Sequence, residues 1–288
     1  GLILPPEHLF TDLRGPDLPG YAVGDPEKVL KVMSPYLEAA RLAGVTALVE
    51  CSTGGVGRNI AVLKWLAENT PIHFVAPTGV YREAYVPVEL RQASQDTLAD
   101  QWIEDLTKGI GGTGIRAGFL KMALSDDGPT PLEIRNLRAA VQASLATGAV
   151  IASHTIGGAL AMQEMDILEE AGLDLRRFIW VHANAEVDVS FHRIAAQRGA
   201  YIEFDGIGVS ESSDEDQAQF TMNLIEAGFA EQILLSQDAG WYDPAHPDGQ
   251  PESGIRGYTA LVEKFLPTLK QKGLSEQMIT LLTKKNPA

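Results

Sequence analysis

One apolar stretch of the sequence reads Arg116-Ala117-Gly118-Phe119-Leu120-Lys121-Met122-Ala123, and its lysine stands where the pattern predicts a buried strand. Lysine is almost never fully buried without a partner. A single lysine at such a place is most simply a snorkelling or salt-bridged side chain at a strand end. Several other apolar runs of this chain also end in His or Asp, which suggests a shared site where neighbouring strands end.

Predicted strands and helices alternate along the whole chain. The best-marked helix has Asp25 as its N-cap and Pro26 in its first turn, and it ends at Gly44. The predicted strands are 2–4, 46–51, 73–77, 116–123, 150–153, 178–181, 201–204 and 233–236, and the predicted helices are 26–43, 58–68, 94–108, 130–147, 160–171, 187–198, 216–227, 257–272 and 276–283.

This alternation predicts an α/β fold in which parallel strands are joined by crossover helices. About eight repeats favour a single (β/α)₈ (TIM) barrel, which commonly needs about 250 residues, over a doubly wound sheet. No low-complexity linker divides the 288 residues. We therefore expect one domain that spans residues 1–288.

Composition restricts the partners and the compartment. The net charge of −15 argues against nucleic acid and disfavours anionic membranes, and it leaves a small-molecule substrate open. Part of this charge lies in the run 211–216, which we interpret as a solvated loop and helix start. Cys51 is the only cysteine, so an internal disulfide is impossible and a reducing, cytoplasmic location is expected. No apolar run reaches transmembrane length, and the ends at Gly1 and Ala288 are expected to be clipped.

Side chains able to bind metals follow most of the predicted strands. In a (β/α)₈ barrel the carboxyl ends of all strands surround one mouth, where active sites lie. The residues at these ends are His8, Lys121, His154, His182, Asp205 and Asp238. Neutral imidazoles and carboxylates suit Zn²⁺ or Mn²⁺. A neutral lysine amine carboxylated by CO₂ would be an anion able to bridge two ions, and hydroxide between two ions is a strong nucleophile.

The order of these motifs resembles the phosphotriesterase family of the amidohydrolase superfamily, with its lactonase and esterase relatives. The motifs that carry the resemblance are Leu4-Pro5-Pro6-Glu7-His8-Leu9-Phe10, Ala117-Gly118-Phe119-Leu120-Lys121, His154-Thr155, Val181-His182 and Ser236-Gln237-Asp238, supported by Gly57-Arg58-Asn59, Thr78-Gly79-Val80-Tyr81 and Lys285-Asn286-Pro287-Ala288. The resemblance covers nearly the whole chain.

The resemblance implies a metal-dependent hydrolase that cleaves an ester, lactone or phosphoester with a metal-bound hydroxide. His8 would bind the first metal, carboxylated Lys121 would bridge, and His154 and His182 would hold the second metal. Asp238 would bind the first metal and accept the proton of the attacking hydroxide. Two divalent ions are implied, with zinc favoured and manganese, cobalt or iron open. Family members are usually homodimers, so we expect a homodimer.

Three departures from the family pattern bear on this prediction. Pro6 occupies the first position of the family's His-x-His motif, so the first metal site lacks a ligand and is expected to be weak or empty. Ala185 occupies the position where studied members of the family carry an acidic residue. Gly206 occupies the position where they carry His or Arg. The loop 238–244 does not match the specificity loops of known lactonases or triesterases. The alternative hypothesis is therefore a catalytically impaired or non-catalytic homologue.

Four residues are candidates for the wall of a substrate pocket: Tyr81, Trp241, Tyr242 and Arg256. Aromatic rings on mouth loops cover apolar groups, and an arginine binds carboxylate or phosphate. Loop packing and a surface salt bridge are the simpler alternatives. Cys51 is expected to be a buried thiol, and His192 and His246 are expected at the surface. The run Gly109-Ile110-Gly111-Gly112-Thr113-Gly114 follows a helix and enters a strand, which is the wrong context for a dinucleotide-binding loop.

Overall fold

A computed structural model describes residues 1–208 and 213–288 and confirms the predicted (β/α)₈ barrel. All paired strands run parallel. They are Leu2–Glu7 (β1), Val45–Glu50 (β2), His73–Val75 (β3), Pro77–Gly79 (β4), Phe119–Ala123 (β5), Ile151–His154 (β6), Phe178–Val181 (β7), Tyr201–Phe204 (β8) and Ile233–Leu235 (β9). Only Ala76 separates β3 from β4, so these two segments together occupy one strand position of the barrel. The nine segments therefore fill eight strand positions.

The crossover helices also follow the predicted order. They are Pro26–Leu42 (α1), Ile60–Asn69 (α2), Val88–Gln92 (α3), Gln95–Thr107 (α4), Pro131–Thr147 (α5), Gly158–Glu170 (α6), Val189–Gln197 (α7), Asp214–Glu226 (α8), Leu266–Gln271 (α9) and Glu276–Thr280 (α10). Two π-helical turns, Leu261–Phe265 and Leu281–Lys285, adjoin the last two helices. The short α3 was not predicted. In the described part of the chain, no helix has the length and apolarity needed to cross a membrane.

Side-chain caps set several helix starts. Thr130 and Glu133 form a reciprocal capping box at the start of α5. Ser213 caps α8, so the acidic run does begin a helix as predicted, while its residues Glu211 and Ser212 lie outside the described residues. Asn59 caps α2 by accepting a hydrogen bond from the backbone of Val62. These caps satisfy backbone N–H groups that have no partner inside the helix.

Strand pairing forms two hydrogen-bonded sheets, β1-β2-β3 and β4 to β9, which meet at Ala76. The first and last strands are joined at their ends, where the backbone N–H of His8 donates to the carbonyl of Ala239 at 2.9 Å. The buried carboxylate of Glu7 strengthens this seam by accepting from the Ser236 hydroxyl at 2.5 Å and the Ala239 N–H at 2.7 Å. Burial raises the pKa of Glu7 to about 7, although these hydrogen bonds act to lower it. The seam therefore brings the ends of β1 and β9 together.

His192 corrects one sequence prediction, because it is 1% exposed rather than at the surface. It shares the buried face of α7 with Ala195 and Ala196, at helical spacing. Its Nε2 donates to the Ala183 carbonyl at 2.8 Å, and its ring packs edge-on against Phe204. The imidazole thus serves as a core side chain, whose burial lowers its pKa. The surface prediction for His192 was wrong.

Candidate active site

The barrel mouth contains a cavity of about 700 Å³ at the carboxyl ends of the strands. All six strand-end residues predicted from the sequence line it, namely His8, Lys121, His154, His182, Asp205 and Asp238. Two of them lie on β5 and β6, and the other four lie within three residues of the ends of β1, β7, β8 and β9. Their convergence follows from the parallel order of the strands.

Lys121 lies on β5 and is 3% exposed. Its backbone pairs with Gly79 on one side and Ala152 on the other. Gly79 has a φ of +102°, and a Cβ there would lie 2.3 Å from the Lys121 carbonyl oxygen, so this contact requires glycine. Lys121 lines the same cavity as His154 and His182, and its positive charge disfavours protonation of both rings. The lysine thus lies within electrostatic reach of both histidines.

His182 is fixed by Asp205. The residue follows β7 with a left-handed φ of +66°, and one Asp205 oxygen accepts its backbone N–H at 2.8 Å. The other Asp205 oxygen lies 2.9 Å from the ring Nδ1. Burial lowers the pKa of His182, but the Asp205 charge outweighs it and the net pKa is raised. Because Nδ1 faces the carboxylate, Nε2 is the nitrogen left for a ligand in the cavity.

His154 lies at the end of β6 with its ring centroid 4.5 Å from that of His182. Its Nδ1 is 3.1 Å from the Tyr81 hydroxyl, and its buried Nε2 has no hydrogen-bond partner. Burial, followed by the positive charges of His182 and Lys121, lowers the pKa of His154 well below its ordinary value. The imidazole is therefore neutral at neutral pH and has a lone pair available for a metal.

His8 and Asp238 form the second donor pair of the cavity. His8 Nε2 lies 3.1 Å from Asp238 Oδ1, and His8 Nδ1 lies 2.8 Å from the Ser52 hydroxyl. Burial lowers the pKa of His8, but the hydrogen bonds to Asp238 and Glu50 outweigh it and raise the pKa to about 10. The same pairing holds the pKa of Asp238 well below its usual range, against the effect of burial. His8 and Asp238 thus form an ion pair.

The donor set fits divalent metals but does not form a complete protein-only site. Within residues 1–208 and 213–288, no three His, Cys, Asp or Glu side chains are grouped closely enough to hold an ion. The donors instead form two pairs, His8 with Asp238 and His154 with His182, and Lys121 lines the same cavity. The neutral state of the His154 ring suits a metal ligand. An anion on Lys121 would complete both pairs.

Of the departures from the family pattern, Ala185 and Gly206 lie at this mouth, and Pro6 lies two residues before His8. Pro6 is buried in β1, where the two prolines lack N–H groups and the pairing with β2 shifts between Leu4 and Glu7. Ala185 and Gly206 line the cavity without a titratable group. Asn184 accepts the Asp205 backbone N–H at 3.0 Å through its side chain. The Asn184 side chain thus holds the backbone of Asp205, the residue directly after β8.

The four predicted wall residues have different environments. Tyr81, Trp241 and Arg256 line the cavity, and the Trp241 ring lies edge-on to His8 at 5.8 Å. Tyr242 is instead 3% exposed, and its ring stacks on that of Phe10 with the centroids 5.8 Å apart. Tyr242 is therefore a buried packing residue of its loop. Its placement corrects the expected position in the wall.

Arg256 contacts the protein backbone as well as the cavity. Its Nη2 donates to the carbonyl of Gln237 at 3.1 Å and to the carbonyl of Asp238. Its backbone also forms an antiparallel bridge with Gly240. Asp238 has a left-handed φ of +47°, so these bonds hold the turn that presents its carboxylate. A surface salt bridge, the simpler interpretation of Arg256, does not describe these contacts.

Sequence reasoning missed several members of the site. Glu50, the last residue of β2, and Ser52, two residues later, lie behind His8, and the only signal for them was their position at a strand end. The outer rim carries Leu13, Ile156 and Val187, which are 49%, 37% and 74% exposed. Exposed apolar side chains around a mouth indicate a ligand with an apolar part. Cys51 is buried, as predicted, and burial raises the pKa of its thiol.

Comparison of the sequence with known proteins gives one family. The sequence profile of the phosphotriesterase family matches residues 1–288. The chain is 30% identical to a phosphotriesterase homology protein of Mycobacterium tuberculosis, with 100% of this chain and 92% of that protein covered. It is also 30% identical to an aryldialkylphosphatase of Saccharolobus solfataricus, with 85% and 80% covered.

Solved structures give the same result. A mutant of a PTE-like lactonase from Deinococcus radiodurans superimposes with a TM-score of 0.88 at 28% identity, covering 100% of this chain and 94% of that chain. These likenesses indicate a hydrolase. A whole-length profile match and whole-length relatives lead to one conclusion: this protein is a member of the phosphotriesterase family.

Proposed function

We propose that this protein is a metal-dependent hydrolase that cleaves a carboxylic ester, a lactone or a phosphoester. The observation that carries the proposal is the convergence of two donor pairs, His8 with Asp238 and His154 with His182, on the cavity lined by Lys121. The family match and the hydrolase relatives support the same activity class. We treat residues 1–288 as one catalytic domain.

Two divalent ions, with zinc favoured and manganese, cobalt or iron as alternatives, are proposed as the cofactor. His8 and Asp238 would hold the first ion, His154 and His182 would hold the second, and carboxylated Lys121 would bridge them. Such ions lower the pKa of bound water, so that hydroxide is available near neutral pH. Pro6 adds no donor to the first position, so we expect the first ion to be held more weakly than the second.

The protein's own side chains then supply orientation and proton transfer. Asp238 lies 3.1 Å from His8 at the cavity and, as a carboxylate, would accept the proton of the attacking hydroxide. Arg256 keeps the turn of Asp238 in place through the Gln237 and Asp238 carbonyls. Ala185 and Gly206 carry no acid or base, so neither side chain can relay a proton from Asp238.

The rim favours a substrate with an apolar arm. Leu13, Ile156 and Val187 expose aliphatic surface around the mouth, and Trp241 adds an aromatic face. One guanidinium nitrogen of Arg256 already donates to backbone carbonyls, so fewer of its N–H groups are free to bind a phosphate dianion. We therefore rank uncharged lactones and aryl esters above phosphate monoesters as substrates.

The test combines metal analysis with hydrolysis. Protein stripped with a chelator and then reloaded with zinc, manganese or cobalt is assayed on a panel of lactones, aryl esters and aryl phosphotriesters. We expect activity only after reloading, and we expect Lys121→Ala to bind less metal and to lose activity. Full activity in the stripped protein, or in Lys121→Ala, would contradict a metal-dependent mechanism.

The second candidate is an impaired or non-catalytic homologue, which Pro6 and the lack of a three-donor group among the described residues favour. Pro6→His separates the two candidates. A large rate gain in this variant would mean that proline disables an enzyme, whereas inactivity of both proteins across the panel would favour the homologue. The homodimer, the small-molecule partner, the lack of nucleic-acid or membrane partners and the cytoplasmic location stay predictions.

A further inference from the structure

We propose that Asp126, in the loop after β5, is the positioning residue for His154 and determines which ring nitrogen of His154 faces the cavity. This inference rests on the proposed function, because it concerns a histidine of the same site. Asp126 Oδ1 lies 3.8 Å from His154 Nε2. The Nε2 atom is buried and has no hydrogen-bond partner.

The two nitrogens of His154 have different surroundings. Nε2 is shielded from solvent on the Asp126 side of the ring, so Nδ1 is the nitrogen on the Tyr81 side, where a metal would take the place of the Tyr81 hydrogen bond. Nδ1 lies 3.1 Å from the hydroxyl of Tyr81, which also lines the cavity. In the proposed tautomer the Tyr81 hydroxyl donates to Nδ1. A hydrogen bond donated to Nδ1 requires the ring proton to be on Nε2, the nitrogen that faces Asp126.

The other two histidines of the cavity show the same arrangement. His182 turns its Nδ1 towards Asp205 at 2.9 Å, and His8 turns its Nδ1 towards Glu50 at 3.6 Å. Each therefore has a carboxylate behind one ring nitrogen and the cavity in front of the other. Metal-binding histidines commonly donate their second N–H to a carboxylate, which fixes the tautomer and makes the ligand more basic. Asp126 gives His154 the third such partner.

Asp126 is held in place from its other side. Its Oδ2 accepts a hydrogen bond from Arg82 Nη1 at 2.9 Å, and the Arg82 guanidinium lies 5.5 Å from the centre of the Tyr81 ring. Tyr81, Arg82, Asp126 and His154 thus form a closed ring of contacts between two mouth loops and β6. Within this ring Oδ1 of Asp126 remains directed at His154. A shift of less than 1 Å would bring Oδ1 and Nε2 within hydrogen-bond distance.

The test compares Asp126→Ala with Asp127→Ala, which removes the same charge from the neighbouring exposed residue. Nitrogen-15 NMR of the metal-free protein, with His154 assigned through His154→Gln, reports the tautomer. We expect the Nε2–H form in the wild type and in Asp127→Ala, and a mixture of both tautomers in Asp126→Ala. Asp126→Asn keeps an acceptor oxygen and should restore the Nε2–H form in part.

The same variants are titrated with zinc against a chromogenic chelator. The dissociation constant of the His154 site should rise about tenfold in Asp126→Ala and remain at the wild-type value in Asp127→Ala. The inference is overturned if Asp126→Ala matches Asp127→Ala in tautomer and in affinity. If no variant binds zinc, the proposed function fails, while the tautomer of the metal-free protein still decides the role of Asp126.

Discussion

Asp205 holds His182 at two points, with one oxygen 2.8 Å from its backbone nitrogen and the other 2.9 Å from its ring Nδ1. The first contact stabilises the left-handed backbone at His182, a conformation that costs about 1–3 kcal/mol for a non-glycine residue. The second contact directs Nε2 into the cavity. One carboxylate thus fixes both the position and the orientation of a proposed metal ligand.

Asp205→Asn should weaken metal binding ten- to hundredfold, because the amide cannot serve both contacts as a charged acceptor. The free energy of unfolding should fall by about 1–3 kcal/mol, since a buried hydrogen bond is lost. Chelator competition and denaturant unfolding measure the two effects. Asp100→Asn, at an exposed position on α4, serves as the control. Equal metal affinity in both variants would refute the orienting role of Asp205.

Pro6→His should increase the zinc content of the purified protein towards two ions per chain, because it adds a donor beside the His8 and Asp238 pair. Pro6→Ala removes the proline without adding a donor and serves as the control. Elemental analysis after dialysis gives the stoichiometry. If the histidine variant binds no more zinc than the alanine variant, position 6 does not face the first metal.

Glu164 should make the protein less stable as the pH rises. Its side chain is fully buried on α6, and burial raises its pKa to about 7 despite hydrogen bonds from Ser153 and Thr155. The folded protein therefore keeps this proton after the unfolded chain has lost it. The stabilisation is present at pH values below the unfolded pKa and is lost between about pH 4.5 and pH 7, by roughly 3 kcal/mol for one such group.

Glu164→Gln should reduce this slope, because the amide does not titrate. Glu170→Gln, at an exposed position on the same helix, should leave it unchanged. Denaturant unfolding at several pH values over that interval measures the free energies. Identical slopes in all three proteins would show that Glu164 keeps an ordinary pKa.

Arg256→Ala should lower kcat more than it raises KM, because the guanidinium holds the Gln237 and Asp238 carbonyls rather than only a substrate group. A shift of about 1 Å in a catalytic group costs up to about a hundredfold in rate. Steady-state kinetics with a neutral lactone separates the two parameters, and Arg256→Lys should recover part of kcat. A change confined to KM would instead assign Arg256 to substrate binding.

The sequence predicts the barrel and the six strand-end residues because parallel strands end at one face, so their terminal side chains converge whatever their distances along the chain. The start of α2 differs from the prediction. Arg58 was placed in α2, but Asn59 caps that helix and Arg58 turns towards Asp105 and Thr78. A cap depends on local geometry that the residue types only suggest.

Partners from distant loops are the part that sequence could not provide. Asp126 approaches His154 across 28 positions, and no spacing rule distinguishes it from the exposed Asp127 beside it. Tyr242 and Trp241 are adjacent aromatic residues of one loop, yet Tyr242 stacks on Phe10 while Trp241 faces the cavity. The burial of His192 could not be predicted either, because it depends on a hydrogen bond to the carbonyl of Ala183. A polar side chain on a helix face can be buried when such a partner is present.

The most direct test of the proposed centre is a crystal structure of the zinc-loaded protein with anomalous data. We predict a planar carboxyl group on Lys121 Nζ between two anomalous peaks, one contacted by His154 and His182 and the other by His8 and Asp238. An unmodified Lys121 amine in a zinc-loaded crystal, or zinc bound away from both histidine pairs, would contradict the account.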